Sequence, residues 1–210
     1  MSMQLIGGFR SPYVRRVAVS LNLMGFDWAS KPISAFDEPD AVKAHNPVVR
    51  IPTLVLDDGD TLVESWAILD WLDEEAGPDR ALLPPRGVER RRAYKTTAVG
   101  VACMDKAVWA AYEFRSHPKE KVHRPWVEHN EAQVLGGFEW LDQRAKAAGD
   151  GWLDGGQRIG QSDVTAAVAF TFVSFARPKV ADTERFPNLA RLAARCEEMP
   201  EFARVHPDKA

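Results

Sequence analysis

Arg10-Ser11-Pro12-Tyr13-Val14-Arg15-Arg16 follows the short apolar run Leu5-Ile6, closed by Gly7-Gly8. It opens a segment in which Val14, Val17, Ala18 and Leu21 recur at helical spacing as far as Gly25. The pattern predicts a strand, a tight turn and a helix. Ser11 suits the N-cap, because its hydroxyl accepts from the orphan amides of the first turn, and Pro12 suits the first helical position, where no amide partner is needed. The same hydroxyl has a second use. Pointed outward, it is a donor to whatever lies at the helix start.

Beyond Gly25, the stretch Asp27-Trp28-Ala29-Ser30-Lys31-Pro32-Ile33 reads as an edge strand with its proline near an end. Glu38 to His45 allows one or two helical turns before Asn46-Pro47 breaks the chain. Ile51-Pro52-Thr53-Leu54-Val55-Leu56 is then a third strand, Asp57-Asp58-Gly59-Asp60 a hairpin turn and Thr61-Leu62-Val63-Glu64 its partner. Ser65 is read as the cap of a helix with Ile68, Leu69 and Leu72 on one face and Gly77-Pro78 as the stop. The order βαβαββα fills residues 1–78. Strands joined through a helix should be parallel and the hairpin antiparallel, so the sheet is mixed, as in thioredoxin-like folds.

Residues 79–87 are polar and proline-rich and read as a linker, and no strand pattern follows. Residues 88–210 read as an all-helical domain. Val88 to Ser116 and Lys121 to Ala148 form two long helices, a third runs from Gln161 to Ala176 with Val164, Val168, Phe172 and Phe175 on a stripe, and a fourth from Pro187 to Glu198.

The 210 residues are 45% hydrophobic, ample for packed cores, and 27 basic against 30 acidic side chains give a formal charge of -3. That balance argues against nucleic acid as a partner. Arg90-Arg91-Arg92 is the only basic run and reads as a solvated helix face, with an anion site or a subunit contact as the other readings. Cys103 and Cys196 stand far apart with no metal-ligand spacing, which predicts a reduced, cytoplasmic protein. No export signal is expected at Met1 to Gly8, and no apolar run reaches the roughly 18 residues of a spanning helix, so no membrane is expected as a partner.

Taken in order, Ser11-Pro12, Asn46-Pro47-Val48-Val49-Arg50-Ile51-Pro52-Thr53-Leu54, Glu64-Ser65 and the tail Phe186-Pro187-Asn188-Leu189 through Met199-Pro200-Glu201-Phe202 resemble cytosolic glutathione transferases of bacterial type, with serine at the active-site position. The resemblance covers almost the whole chain. It implies that Ser65 holds the γ-glutamyl carboxylate of glutathione at a helix N-terminus, that Glu64 pairs with the γ-glutamyl amino group, and that Arg50, Ile51 and Pro52 complete the glutathione site. Ile51 would bind the cysteinyl backbone as an added strand does, next to a cis Pro52. Ser11 would donate to the sulfur and favour the thiolate. Lowering a thiol pKa of about 8.5 by about two units takes roughly 2.7 kcal/mol. One charge-assisted hydrogen bond of about 1.5 to 3 kcal/mol is sufficient.

Tyr13 is the alternative donor. Position 11 carries no cysteine and Val14 stands where a CxxC motif has its second one, which removes two-cysteine disulfide exchange. The second substrate, a small hydrophobic electrophile or peroxide, would meet Phe9, Arg10, Tyr13, Met104, Val108 and Tyr112, the last three recurring on one helical stripe that reads equally as core. The resemblance also implies glutathione as cosubstrate, no metal, a detoxification role, and a homodimer touching through Trp66 to Trp71 and Arg90 to Lys95. The other readings are glutathione-dependent isomerisation or dehalogenation, and a non-catalytic protein of this fold that acts through a protein partner. The family's sixth helix starts with a Ser or Thr cap and an Asp three residues on, where this chain offers Gly160 or Ser162 with Asp163.

Overall fold

The computed structural model of the chain describes residues 3–209. It divides into two units at Pro85 and Arg86, and the chain from Glu197 onward rejoins the first. The sequence pattern alone assigns that last stretch to the helical domain.

In the first unit, β1 (Met3–Ile6), β2 (Trp28–Lys31), β3 (Thr53–Val55) and β4 (Thr61–Val63) form one sheet in the order β2-β1-β3-β4. β1 runs parallel to β2 and antiparallel to β3, and β3 runs antiparallel to β4. The mixed sheet follows the connections: a helix crosses over between the first two strands, and the five residues from Leu56 to Asp60 close the hairpin. β2 is an edge strand, and Pro32 lies just past its end. Helix α1 (Pro12–Met24) buries Val14, Val17, Ala18 and Leu21, and Gly25 ends it in the left-handed conformation with φ 72°. Helix α2 (Pro39–Lys43) is one short turn, and α3 (Ser65–Ala76) buries Ile68, Leu69 and Leu72.

The stretch after α3 is not a free tether. Asp73 accepts from the amides of Leu82 at 2.7 Å and Leu83 at 3.4 Å, and both leucines are buried.

The second unit is built on α4 (Gly87–Ser116), α5 (Arg124–Ala148), α6 (Gln161–Ala176) and most of α7 (Pro187–Glu197). Close approach explains two glycines. A Cβ on Gly137 would lie 2.3 Å from Cys103 Sγ, and one on Gly100 would lie 2.9 Å from the Thr165 methyl. Phe138 packs between Phe170 at 5.5 Å and Phe186 at 5.7 Å. The first ten residues of α6 are all buried. Val173 takes the inward position of its last turns, which leaves Phe175 55% exposed and off the predicted core stripe. Gly160 is the cap of α6, and Ser162 is not, since its hydroxyl bonds the carbonyl of Ala93 at 3.2 Å and the carboxylate of Asp154. No helix among the described residues is long and apolar enough to cross a membrane.

Candidate functional site

Sheet register decides which segments meet. Ile6 is opposite Lys31 on one side and Thr53 on the other, and Thr53 is opposite Val63. These four residues form one row across the sheet. The residues just beyond that row, Gly7 to Ser11 after β1, Arg50-Ile51-Pro52 before β3 and Glu64-Ser65 after β4, therefore emerge from the same end of the sheet.

Gly7 brings the first two together. Its φ of +122° is closed to most side chains, and a Cβ there would lie 2.6 Å from Val14 Cγ2 and 2.9 Å from Ile51 Cβ. The start of α1 and the loop before β3 thus close over a residue with no side chain. After a turn in which the Ser11 amide donates to Gly8 O at 3.0 Å, Ser11 caps α1 with φ −75° and ψ 121°. Its Oγ accepts from the Val14 amide at 3.4 Å. Capping and donation do not compete, because a hydroxyl accepts through its lone pairs while its one proton points elsewhere. Ser11 is half-buried, so its proton has an open side.

The loop before β3 is held by a residue that the sequence pattern marks only as a breaker. Asn46 is buried, its Nδ2 donates to Arg50 O at 2.8 Å and to Thr53 Oγ1 at 3.2 Å, and its Oδ1 accepts from the Val48 amide at 2.9 Å. Thr53 Oγ1 in turn donates to Arg50 O at 3.2 Å. This network fixes the carbonyl that precedes Ile51 and holds Val49 at φ 56°. The Ile51–Pro52 bond is cis, and Ile51 lies two residues before the first ladder pair of β3.

At the third segment, Glu64 and not Ser65 occupies the N-cap of α3, with φ 70° and ψ 129° and no side-chain cap bond. A non-glycine residue held there costs about 1 to 3 kcal/mol, and such strain gathers at binding sites. Ser65 is the first helical residue, so the first amides of α3 face outward from the same end of the sheet. The Glu64 carboxylate forms an ion pair with Arg50 at 3.0 Å, with both side chains more than half exposed.

The chain matches the model of the glutathione S-transferase N-terminal domain over residues 5–80 and that of the C-terminal domain over residues 124–195. It is 30% identical to a maleylacetoacetate isomerase of Pseudomonas aeruginosa, with 98% of this chain and 96% of that protein covered. Among solved structures, a glutathione S-transferase of Methylobacterium radiotolerans in complex with glutathione sulfonate is 29% identical, with 99% and 95% of the two chains covered and a TM-score of 0.89. One from Methylobacillus flagellatus with glutathione bound is 26% identical, with 98% and 100% covered and a TM-score of 0.89. The chain belongs to the glutathione S-transferase family.

For a member of this family the remaining candidates separate by exposure. Arg10 is exposed and Tyr13 half-buried. Phe9 is buried, edge-on to Trp28 at 6.3 Å between ring centroids. In the second unit the stripe divides: Met104 has no exposed surface and belongs to the core, Val108 is half-buried, and Tyr112 is 38% exposed. Met104 therefore offers nothing to a substrate, because at one position per turn a stripe runs from the packed middle of α4 to its open end. Trp109, outside the stripe, is 56% exposed. Both cysteines are buried, and burial raises the Cys103 thiol to about 12, which makes it inert.

Proposed function

We propose that the chain is a glutathione-dependent enzyme whose first unit binds the tripeptide and whose Ser11 hydroxyl donates to the sulfur, favouring the thiolate. The observation that carries this reading is the row Lys31, Ile6, Thr53 and Val63, because it brings a half-exposed hydroxyl at a helix start, an unpaired strand entry and a strained acidic cap to one end of the sheet. In this reading Ile51 takes the cysteinyl backbone, Ser65 and the first amides of α3 take the γ-glutamyl carboxylate, and Glu64 takes its amino group. Arg50 holds the Glu64 carboxylate in place. The positive end of the α1 dipole adds to the Ser11 hydrogen bond on the sulfur. An activated, positioned nucleophile is then the whole of the chemistry, and Arg10 and Tyr13 are the residues of the first unit proposed to meet the electrophile.

Isomerisation uses the same sulfur. A thiolate that adds to an electron-poor cis alkene leaves a single bond free to rotate, and its departure gives the trans product with glutathione returned. The isomerase of Pseudomonas aeruginosa and a zeta class glutathione S-transferase of Euphorbia esula, 27% identical over 99% of this chain, support this form of the reaction. The test is to supply glutathione with maleylacetoacetate or with an aryl halide and to follow the free thiol. Turnover with glutathione regenerated assigns isomerisation, and turnover with glutathione consumed assigns transfer. Absence of glutathione binding by calorimetry overturns both and leaves the non-catalytic reading. We also propose a homodimer through the Trp66 to Trp71 and Arg90 to Lys95 segments, which sedimentation at micromolar concentration tests.

A further inference from the structure

The C-terminal residues that rejoin the first unit do so on α1, through a buried charge. Arg15 is 1% exposed, and its three guanidinium nitrogens all have partners. Two donate to the two carboxylate oxygens of Glu197, one of them at 2.7 Å, and Nε donates to Val205 O at 3.0 Å. The Phe202 ring lies 5.9 Å from the guanidinium carbon. Two turns further along α1, Asn22 Nδ2 donates to Glu201 O at 2.9 Å. The segment from Glu197 to Val205 thus grips α1 at two levels.

Arg15 is also the residue whose amide closes the first turn of α1, donating to Ser11 O at 2.9 Å. Its side chain is tied to the C-terminal segment and its backbone to Ser11. We propose that Arg15 and Glu197 are positioning residues for the Ser11 hydroxyl, with the C-terminal segment acting as the strap that sets the rotation and depth of α1. This rests on the reading of Ser11 given above.

The choice of residues supports the role. An ion pair with a buried guanidinium and a half-buried carboxylate is a poor device for stability, since desolvation of the guanidinium offsets much of the attraction and apolar pairs often replace such bridges without loss. What two parallel bonds between a planar fork and a carboxylate add is direction. Direction matters for α1, because a rotation of the helix about its axis swings Ser11, at its very end, away from a sulfur that must be met within a few tenths of an ångström. Glu197 is the last residue of α7 and belongs with α1 to the first unit.

The experiment compares wild type with Arg15→Met/Glu197→Leu, which keeps volume and leaves no unpaired charge, and with the milder Glu197→Asp. The readouts are the thermal midpoint, glutathione affinity by calorimetry, and the pH midpoint of thiolate absorbance for bound glutathione. The expected result is a folded double variant with glutathione affinity within about threefold of wild type and a thiolate midpoint raised by about one pH unit, a tenfold loss of thiolate. Glu197→Asp should shift it in the same direction by less. A wild-type midpoint in both variants overturns the positioning role and leaves the Ser11 reading intact. Should the double variant not fold, Glu197→Asp decides alone: a raised midpoint supports the role and an unchanged one overturns it. If wild type itself shows no lowered midpoint, or Ser11→Ala retains it, the Ser11 reading falls first and this proposal with it.

Discussion

At the start of α6 the carboxylate of Asp163 accepts from the amides of Leu153 at 2.8 Å and Gly160 at 3.0 Å, in the interior, with 2% of the residue exposed. At the start of α1 the hydroxyl of Ser11 accepts one amide at 3.4 Å and keeps its proton on an open side. Every helix start carries the same orphan amides. At the start of α6 the chain itself closes over them, and a neighbouring carboxylate completes the seal: Asp154 takes bonds from Thr96 at 3.0 Å and Arg144 at 2.9 Å, as well as from Ser162, and so ties α4, α5 and α6 together. In the first unit the starts of α1 and α3 are left open at one end of the sheet. The closed start of α6 serves the fold, and the open starts of α1 and α3 are the ones proposed to meet a ligand.

Substitution at Asp163 breaks the closed start, and there the largest effect is expected. Asp163→Ala strands the buried Leu153 amide and the half-buried Gly160 amide and should cost about 2 to 4 kcal/mol in urea unfolding. The thiolate midpoint of the protein that remains folded should not move. If it does move, the two helix starts are coupled and the division drawn above is wrong.

The next effect is one of pH. Burial, reinforced by the nearby Asp154 charge, raises Asp163 from 3.8 to about 6 against the opposing pull of its two backbone bonds. A carboxyl raised in the folded state binds its proton more tightly there than in the unfolded chain. Its stability contribution is therefore complete below about pH 3.8 and lost as the pH rises through about 6. Asp163→Asn lacks that titration, so the stability gap between wild type and variant should be wider at pH 4.5 than at pH 7.5. A gap independent of pH would mean that Asp163 keeps an ordinary affinity for its proton.

A smaller effect sharpens the comparison from the side of the cysteines. With Cys103 buried against Gly137 and its thiol raised to about 12, native protein should leave Cys103 unmodified by a thiol reagent at pH 8, and denaturant should expose it. Fast labelling of Cys103 in the native state would show that the α4 and α5 contact opens readily.

Local pattern carries far in this chain. Helix spacing from Val14 to Leu21, the Asp58-Gly59 hairpin and the length of the two long helices are properties of short windows, and the fold follows from them. Ser11 and Ser65 stand out in the sequence as helix starts, and Ile51 and Glu64 are candidates through the family resemblance alone. Other features depend on contacts between distant residues, which periodicity does not record. Asn46 reads as a chain breaker, yet its side chain organises the loop through Arg50 and Thr53. Arg15 reads as one of two charges on a helix and is held by Glu197, 182 residues away. The stretch from Glu197 reads as more of the helical domain because its pattern is helical, whereas it groups with the first unit through its contacts with α1 at Arg15 and Asn22. Met104 shares its stripe with Tyr112, and only packing tells the middle of α4 from its end.

The measurement that bears most directly on the open helix start is the ultraviolet absorbance of thiolate in bound glutathione, titrated against pH in wild type and in Ser11→Ala. The account predicts a wild-type midpoint about two units below the free thiol, a return to about 8.5 in the variant, and a stability cost of only about 1 kcal/mol for the lost cap. Equal midpoints in the two proteins, both lowered, would contradict it and leave Ser11 a cap and nothing more.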